Sequence, residues 1–346
     1  MVETIFHRTI RAFFTAFASL LGIAIGLIPL FLVFIILGAL VSSTSEDMDQ
    51  HYSVEIVPNA DNVRKKQSSS SPVILKLNIE GFIGSELFNS STIAQQLVES
   101  REGDLKNNRV KALILHINTP GGSAFDSDNI YRAIKRYKAQ YKVPVYAYVD
   151  GLCASGGMYI ACSADKIFSS ETGVIGSVGV IGPSAVNVSK LLSTFGVESL
   201  TLSAGKGKDE LNPLRPWKPD EGQSLQELFN AMYDQFATIV SDNRKMDKKT
   251  LIDVYGANVF IANQAKEYGY IDESNYSFNE ALKLLLKEIG IEDDYYQVVQ
   301  LESTNWLLKL LKSDSSMLSG KVVHKLELPT ELDPAYTNQF LYLYRP

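Results

Sequence analysis

Hydrophobic and polar positions divide the chain into three textures. From Ala12 to Val41 no charged residue occurs, and Thr15 and Ser19 are the only polar side chains in the run. As a helix this stretch is about 45 Å long, against a hydrocarbon core of roughly 30 Å, so the pattern predicts one tilted membrane span. A cleavable signal peptide has a shorter apolar core of about 7–15 residues, and the small-residue site around Ala39 and Val41 is poor. Arg8 and Arg11 precede the run while Glu46, Asp47 and Asp49 follow it. That asymmetry predicts residues 1–11 in the cytoplasm, an anchor over 12–41 and an exported remainder. Residues 42–72 read as a tether: a Ser/Thr/Asp/Glu stretch, a strand-like piece at Tyr52–Val57, the basic Arg64-Lys65-Lys66 and four serines, Ser68–Ser71.

From Val73 the periodicity switches repeatedly between strand and helix. Val73–Ile79, Val110–Ile117, Val143–Val149, Lys166–Ser169 and Leu200–Leu202 are strand-like. Helical spacing covers Thr92–Leu105, Ser127–Tyr141, a small-residue helix from about Ser155, and Gln223–Val240. Strands alternating with helices predict a layered α/β fold with parallel strands. The Leu282–Leu286 and Trp306–Leu311 stretches are too short to span a membrane and read as packing helices.

Charge and rare residues narrow the chemistry. The net charge of −6, from 33 basic and 39 acidic side chains, gives no basic face for nucleic acid. A charged fraction of 21% excludes wholesale disorder. Cys153 and Cys162, with no Cys/His cluster beside them, form neither a disulfide framework nor a metal site; they read as small apolar fillers. Among the four histidines, His7 precedes the apolar run, His51 falls in the tether and His324 far toward the C-terminus. His116 lies inside a predicted strand, where packing is the expected role.

Two glycine-containing breaks follow strands. In Asn118-Thr119-Pro120-Gly121-Gly122, glycines permit positive φ and let backbone N–H groups approach a ligand; alone, it could equally be a tight turn. In Asp150-Gly151-Leu152-Cys153-Ala154-Ser155-Gly156-Gly157, a serine stands at a strand-to-helix junction with the Gly156 N–H beside it. Ser155 could serve there as a nucleophile or simply as a helix cap. A nucleophilic serine needs a base, and no histidine is suitably placed by sequence. Lys206 and Lys208, within Ser203–Asp209, are the alternative, although on their own they read as a solvated loop.

Together these pieces resemble the half-length form of the signal peptide peptidase A (SppA) family of membrane-anchored serine peptidases. The resemblance covers roughly Val73 to Ile289. It is carried by Asn118–Gly122, by Ala154-Ser155-Gly156-Gly157-Met158-Tyr159-Ile160-Ala161, by Ile175-Gly176-Ser177-Val178-Gly179-Val180-Ile181, and by Gly205-Lys206-Gly207-Lys208-Asp209. Pro-Gly-Gly alone is common to Clp proteases and crotonases; four motifs in this order are specific. The resemblance implies a crotonase/Clp-protease-like α/β fold with a repeated ββα core over residues 73–325, followed by a tail at 326–346. It implies a Ser–Lys dyad in which Ser155 is the nucleophile and Lys208 the general base, with Lys206 as fallback. Gly122 and Gly156 match the oxyanion-hole donors, and Ser177 matches the hydroxyl that orients the lysine. No cofactor or metal is implied. The expected substrates are hydrophobic peptides such as remnant signal peptides. The expected setting is a bacterial inner membrane with the catalytic domain outside the cytoplasm, in a homo-oligomeric ring whose sites are shared between protomers. Met158 stands where the family often has an aromatic residue. A catalytically silent scaffold and a crotonase-like acyl-CoA enzyme are the competing readings; neither explains why a serine and a lysine would both be present.

Overall fold

A computed structural model describes residues 52–303 and 341–343, with helical backbone at 10–11, 13–19, 22, 26–29 and 31. The chain divides into two units, one comprising residues 1–51 with 303–312 and the other 52–302 with 313–346. In the first unit, Thr15 Oγ1 donates to the Arg11 carbonyl (2.8 Å) and Ser19 Oγ to the Thr15 carbonyl (2.9 Å). The two polar side chains of the apolar run are thus satisfied by the helix's own backbone. Among the described residues no helix is long and apolar enough to cross a membrane. Much of the expected anchor at 12–41 lies outside the described residues, as do His51, Trp306–Leu311, His324 and residues 326–340.

The second unit is built on β1 (Tyr52–Val57), β2 (Val73–Glu80), β3 (Val110–Thr119), β4 (Gly121–Ser123), β5 (Val145–Ala154), β6 (Lys166–Ser169), β7 (Val174–Gly176), β8 (Val259–Ile261), β9 (Gln297–Ser303) and β10 (Leu341–Leu343). Its helices include α1 (Ser90–Glu99), α2 (Ala124–Tyr141), α3 (Gly156–Ala161), α4 (Ser189–Thr194), α5 (Gln223–Arg244), α6 (Ala262–Glu267) and α7 (Phe278–Glu288). An eight-stranded sheet runs β1-β9-β2-β3-β5-β7-β8, with β6 also paired to β5. The β9/β2, β2/β3, β3/β5, β5/β6 and β5/β7 pairs are parallel, and β8 closes antiparallel on β7. The expected α/β architecture is therefore present, and the strand-like piece at Tyr52–Val57 is an edge of its sheet.

Alternation along the strands sorts two cores. Leu75, Leu77 and Ile79 of β2, Leu113, Leu115 and Ile117 of β3, and Val145, Ala147 and Val149 of β5 join Ile93, Ile130, Ile160 and Phe236 from the helices. The intervening residues Ile74, Ala112, Ile114, Tyr146 and Tyr148 pack with Ala281, Leu282 and Leu285 of α7. Each fully buried apolar side chain of this kind contributes roughly 1.5–3 kcal/mol, so both faces of the central strands are fixed.

Local chemistry moves several boundaries. Ser123 Oγ accepts from the Asp126 N–H (3.2 Å), which starts α2 at Ala124 and not at Ser127. Asn89 caps α1 through the Ser91 and Thr92 N–H groups, so that helix also begins early. It ends at Glu99, and Gly103 (φ +48°) opens a separate 3-10 turn where continuous helix to Leu105 was expected. Leu200–Leu202 is not a strand: Leu200 and Leu202 are both 85% exposed, and among the described residues no sheet edge pairs with them. A β-rich triplet without a partner strand has nothing to satisfy its backbone in a ladder.

Candidate active site

The site begins where β5 and β7 end. β7 lies parallel to β5 with Gly176 in register with Ala154, and the Ser155 N–H donates to the Gly176 carbonyl (2.8 Å). Ser155 takes φ +54° and ψ −114°, a conformation that a non-glycine residue adopts at a cost of about 1–3 kcal/mol. The bond to Gly176 and that from the Tyr159 N–H to the Ser155 carbonyl (3.0 Å) hold it there. Such a turn, sharp and strained between strand and helix, is how α/β hydrolases present a serine. Ser155 is 1% exposed, its Oγ has no hydrogen-bond partner among the described residues, and it makes no side-chain cap on α3. A buried hydroxyl without a partner loses about 1–3 kcal/mol relative to a satisfied one, so the helix-cap reading leaves this arrangement unexplained.

Gly122 and Gly156 converge on that serine. Ile83, in the loop after β2, bonds on both sides of Gly122: its N–H donates to Gly121 O (2.9 Å) and its carbonyl accepts from Ser123 N (2.8 Å). Gly122 has φ +154°, and a Cβ there would lie 2.1 Å from the Ile83 carbonyl oxygen. A Cβ on Gly156 would meet Ser127 Oγ at 2.4 Å and Gly121 Cα at 3.4 Å. The two glycine segments therefore lie close together, and at Gly122 the neighbouring backbone leaves no room for a Cβ. Thr119 Oγ1 donates to Gly81 O and accepts the Gly121 N–H (3.0 Å), pinning the Pro120–Gly122 stretch to the ends of β2 and β3. Ser177, with φ +54° and buried, follows Gly176 directly and donates its N–H to Asn258 O (2.7 Å). Ser155, Gly122, Gly156 and Ser177 are thus gathered at one end of the sheet.

The lysines are not. Lys206 and Lys208 are exposed in the turn-rich Gly205–Leu211 stretch, and no side-chain hydrogen bond or ion pair involves either among the described residues. Their arm is instead ordered by Arg215. Its guanidinium binds Asp209 Oδ2 (2.5 Å) and both Glu221 oxygens (2.8 and 3.0 Å). Arg215 holds the Asp209 carboxyl below its ordinary range, with help from Asn212, and draws Glu221 down to about 2. Asp209, directly after Lys208, is therefore engaged with its own loop.

Other sequence candidates resolve as packing. The Cys153 and Cys162 thiols are free and buried, and burial raises both, Cys162 to about 12, so neither is a thiolate nucleophile at neutral pH. His116 Nδ1 meets Glu80 (2.9 Å), its Nε2 meets Asp150 (3.2 Å), and its ring packs on Tyr148 and Phe278. Neither ring nitrogen is available to Ser155. The supports that sequence reasoning missed are Ile83, Ser127 and a network behind α3, in which Tyr159 donates to Asp128 (2.7 Å) and receives Gln235 (3.0 Å). Nothing in their local sequence signals the role, because each acts through a distant segment.

The layered α/β sheet is of the Clp-protease type, as the match of residues 79–172 to the Clp protease family model shows. Residues 137–292 match the model for peptidase family S49. The chain is 32% identical to an Enterococcus faecium protein named as a signal peptide peptidase SppA, over 66% of this chain and 67% of that protein. A Synechocystis protein named as a protease is 27% identical over 81% of this chain and 98% of its own length. Among solved structures, a ClpP1 variant from Listeria monocytogenes aligns with 17% identity and a TM-score of 0.40, covering 60% of this chain and 94% of that one. The chain belongs to peptidase family S49.

Proposed function

We propose that this protein is a membrane-anchored serine endopeptidase that uses a Ser155–Lys208 dyad to cleave hydrophobic peptides, remnant signal peptides among them. The observation that carries the reading is the Ser155 hydroxyl, buried, unpartnered and held on a strained turn against Gly122 and Gly156. Neutral Lys208 would take the proton from Ser155 Oγ as that oxygen attacks the peptide carbonyl. The N–H groups of Gly122 and Gly156 would hold the oxyanion, and the protonated lysine would then give its proton to the leaving amine. Water activated by the same lysine would hydrolyse the acyl-enzyme. Ser177, beside Ser155, would orient the amine. The anchor is the run at 12–41, with the peptidase unit on the extracytoplasmic side.

The base reaches the serine from a neighbouring protomer in this reading. Within one chain Lys208 is exposed and the serine buried, and the arm that carries the lysine presents Phe195 (75% exposed), Leu200 and Leu202 to its surroundings. Covering those side chains with a second copy would remove apolar area from water. It would also desolvate the lysine amine, which favours the neutral form that a base needs.

A fluorophosphonate probe tests the nucleophile: it should label the parent protein in detergent and leave Ser155→Ala unlabelled. Equal labelling of both rejects Ser155. Mixing Ser155→Ala with Lys208→Ala subunits tests sharing, since some junctions then pair an intact serine with an intact lysine and activity should return. If exchange is demonstrated and none returns, the dyad is not shared.

A further inference from the structure

Tyr159 meets the site from behind. Its side chain is fully buried, and its N–H donates to the Ser155 carbonyl (3.0 Å). The hydroxyl donates to Asp128 Oδ1 of α2 (2.7 Å) and accepts from Gln235 Nε2 of α5 (3.0 Å). Arg132, one turn further along α2, holds the other Asp128 oxygen (2.7 Å), so the carboxylate is fixed from two sides. Three helices thus meet at one oxygen atom: α2 follows Gly121–Ser123, α3 follows Ser155, and α5 follows the arm that carries Lys208. We propose that Tyr159 is a positioning residue, whose hydroxyl sets the separation of the Gly122 and Gly156 N–H groups between which the oxyanion forms. The inference rests on reading Ser155 as the nucleophile and those N–H groups as its oxyanion donors.

The build of α3 explains why an oxygen is needed there. The helix is six residues long and opens with Gly156 and Gly157. A Cβ on Gly156 would fall 2.4 Å from Ser127 Oγ, and one on Gly157 would fall 2.6 Å from Thr119 Cγ2. Those two residues therefore have no side chain with which to fix the rotation of the helix, and any shift of α3 carries the Gly156 N–H with it. Tyr159 stands about one turn further on and supplies the missing lateral bond. Packing alone does not call for its hydroxyl, because the ring already lies edge-on to Tyr131 (centroids 5.5 Å apart, 89°) and against Phe236 (5.0 Å). Asp128 lies in the second turn of α2, which begins directly after the Gly122 segment, so the bond ties together the two segments that bear the donors. Hydrogen bonds to a carboxylate are short and strong, and a catalytic constellation has to be held to within about half an ångström.

Tyr159→Phe provides the test, because it keeps the ring and removes only the oxygen. Active sites are counted by fluorophosphonate labelling of Ser155 to completion, and kcat on an apolar peptide is expressed per labelled serine. Tyr159→Phe should lower that kcat about tenfold while KM stays within about twofold, a loss in keeping with a misplacement of under an ångström. Asp128→Ala should do the same, and the Tyr159→Phe, Asp128→Ala double variant should be no worse than either single one, since both break one bond. Asp128→Asn keeps an acceptor oxygen and should retain about a third or more of the parent kcat. An unchanged kcat per labelled serine in Tyr159→Phe, a loss confined to KM, or losses that multiply in the double variant overturns the proposal. If Tyr159→Phe loses its thermal transition, Asp128→Ala decides by the same measurements. Amide hydrogen exchange over residues 155–162 separates this inference from the peptidase reading. Exchange there should quicken about fivefold or more in Tyr159→Phe while β2 is unaffected, and equal exchange in the two chains overturns the inference. If the parent is not labelled at Ser155 the peptidase reading falls, and the exchange result alone decides whether the hydroxyl holds the turn.

Discussion

The turn that carries Ser155 and the arm that carries Lys208 belong to one chain but are stabilised in opposite ways. Ser155 is held by the Gly176 carbonyl on β7 and by the helix it starts, while Ile83 after β2 and Ser127 on α2 crowd the glycines next to it. Lys208 sits on a loop ordered from within, where Asp209, Asn212, Arg215 and Glu221 bind one another over a dozen residues. The first region is held by segments far from it in sequence. The second keeps its own shape without packing its apolar side chains, as the exposure of Phe195, Leu200 and Leu202 attests. In the proposed reading, the buried serine and the exposed, self-ordered lysine are the two parts that a neighbouring copy would bring together.

That contrast is open to direct attack. The largest effect is expected at the lysine itself: Lys208→Ala should lower kcat on an apolar peptide by about 10³-fold or more, as loss of a base within an acting pair does. Lys206→Ala should keep most activity. Reversal of the two outcomes in a steady-state assay would transfer the base to Lys206.

Next comes Gly122→Ala, which attacks the serine side through its backbone. The new Cβ would fall 2.1 Å from the Ile83 carbonyl, so the Ile83 bridge has to open. The expected loss is about 10²–10³-fold in kcat, the range for losing one oxyanion donor, together with a lower melting temperature. Gly156→Ala should be gentler on stability, since its nearest obstacle is the rotatable Ser127 hydroxyl. Equal damage from the two would show that the glycines are not distinguished by what they touch.

A smaller change is expected from Arg215→Ala. It frees Asp209 and Glu221, loosens the arm and should cost about tenfold in activity at low protein concentration, partly recovered as concentration rises, as a linked assembly equilibrium demands. Full activity at every concentration would show that arm order does not matter to the site.

The smallest effect is on pH. Glu221, at about 2 in the folded chain against an ordinary 4.5, and the similarly lowered Asp209 stabilise the arm above about pH 4.5. Their contribution is lost as pH falls from there toward about 2. Trp217 reports on it, because its Nε1 donates to Asn212 O (2.9 Å) within the arm. In a Trp306→Phe chain, Trp217 emission should stay constant above pH 4.5 and change below it. In the Arg215→Ala version the change should begin at higher pH.

Several things were legible in residue order alone because they depend on near neighbours. Strand alternation around Leu113–Ile117 and helical spacing through Gln223–Val240 each repeat a local period, and side-chain direction follows from that period. The glycine pairs at 121–122 and 156–157 likewise announced close backbone approach, since glycine is the residue that permits it. Tertiary structure decided what approaches what. That Ile83 occupies the space a Cβ on Gly122 would need, that Ser177 arrives beside Ser155 through the β5/β7 register, and that Leu341–Leu343 lies along β4 all join residues far apart in sequence. The sequence spacing between Ser155 and Lys208 could not separate a folded-back lysine from one held away, because a chain of that length permits both. Leu200–Leu202 shows the same limit from the other side: its β-propensity is real, but a strand needs a partner edge, and which edges remain open is settled only when the whole sheet has formed.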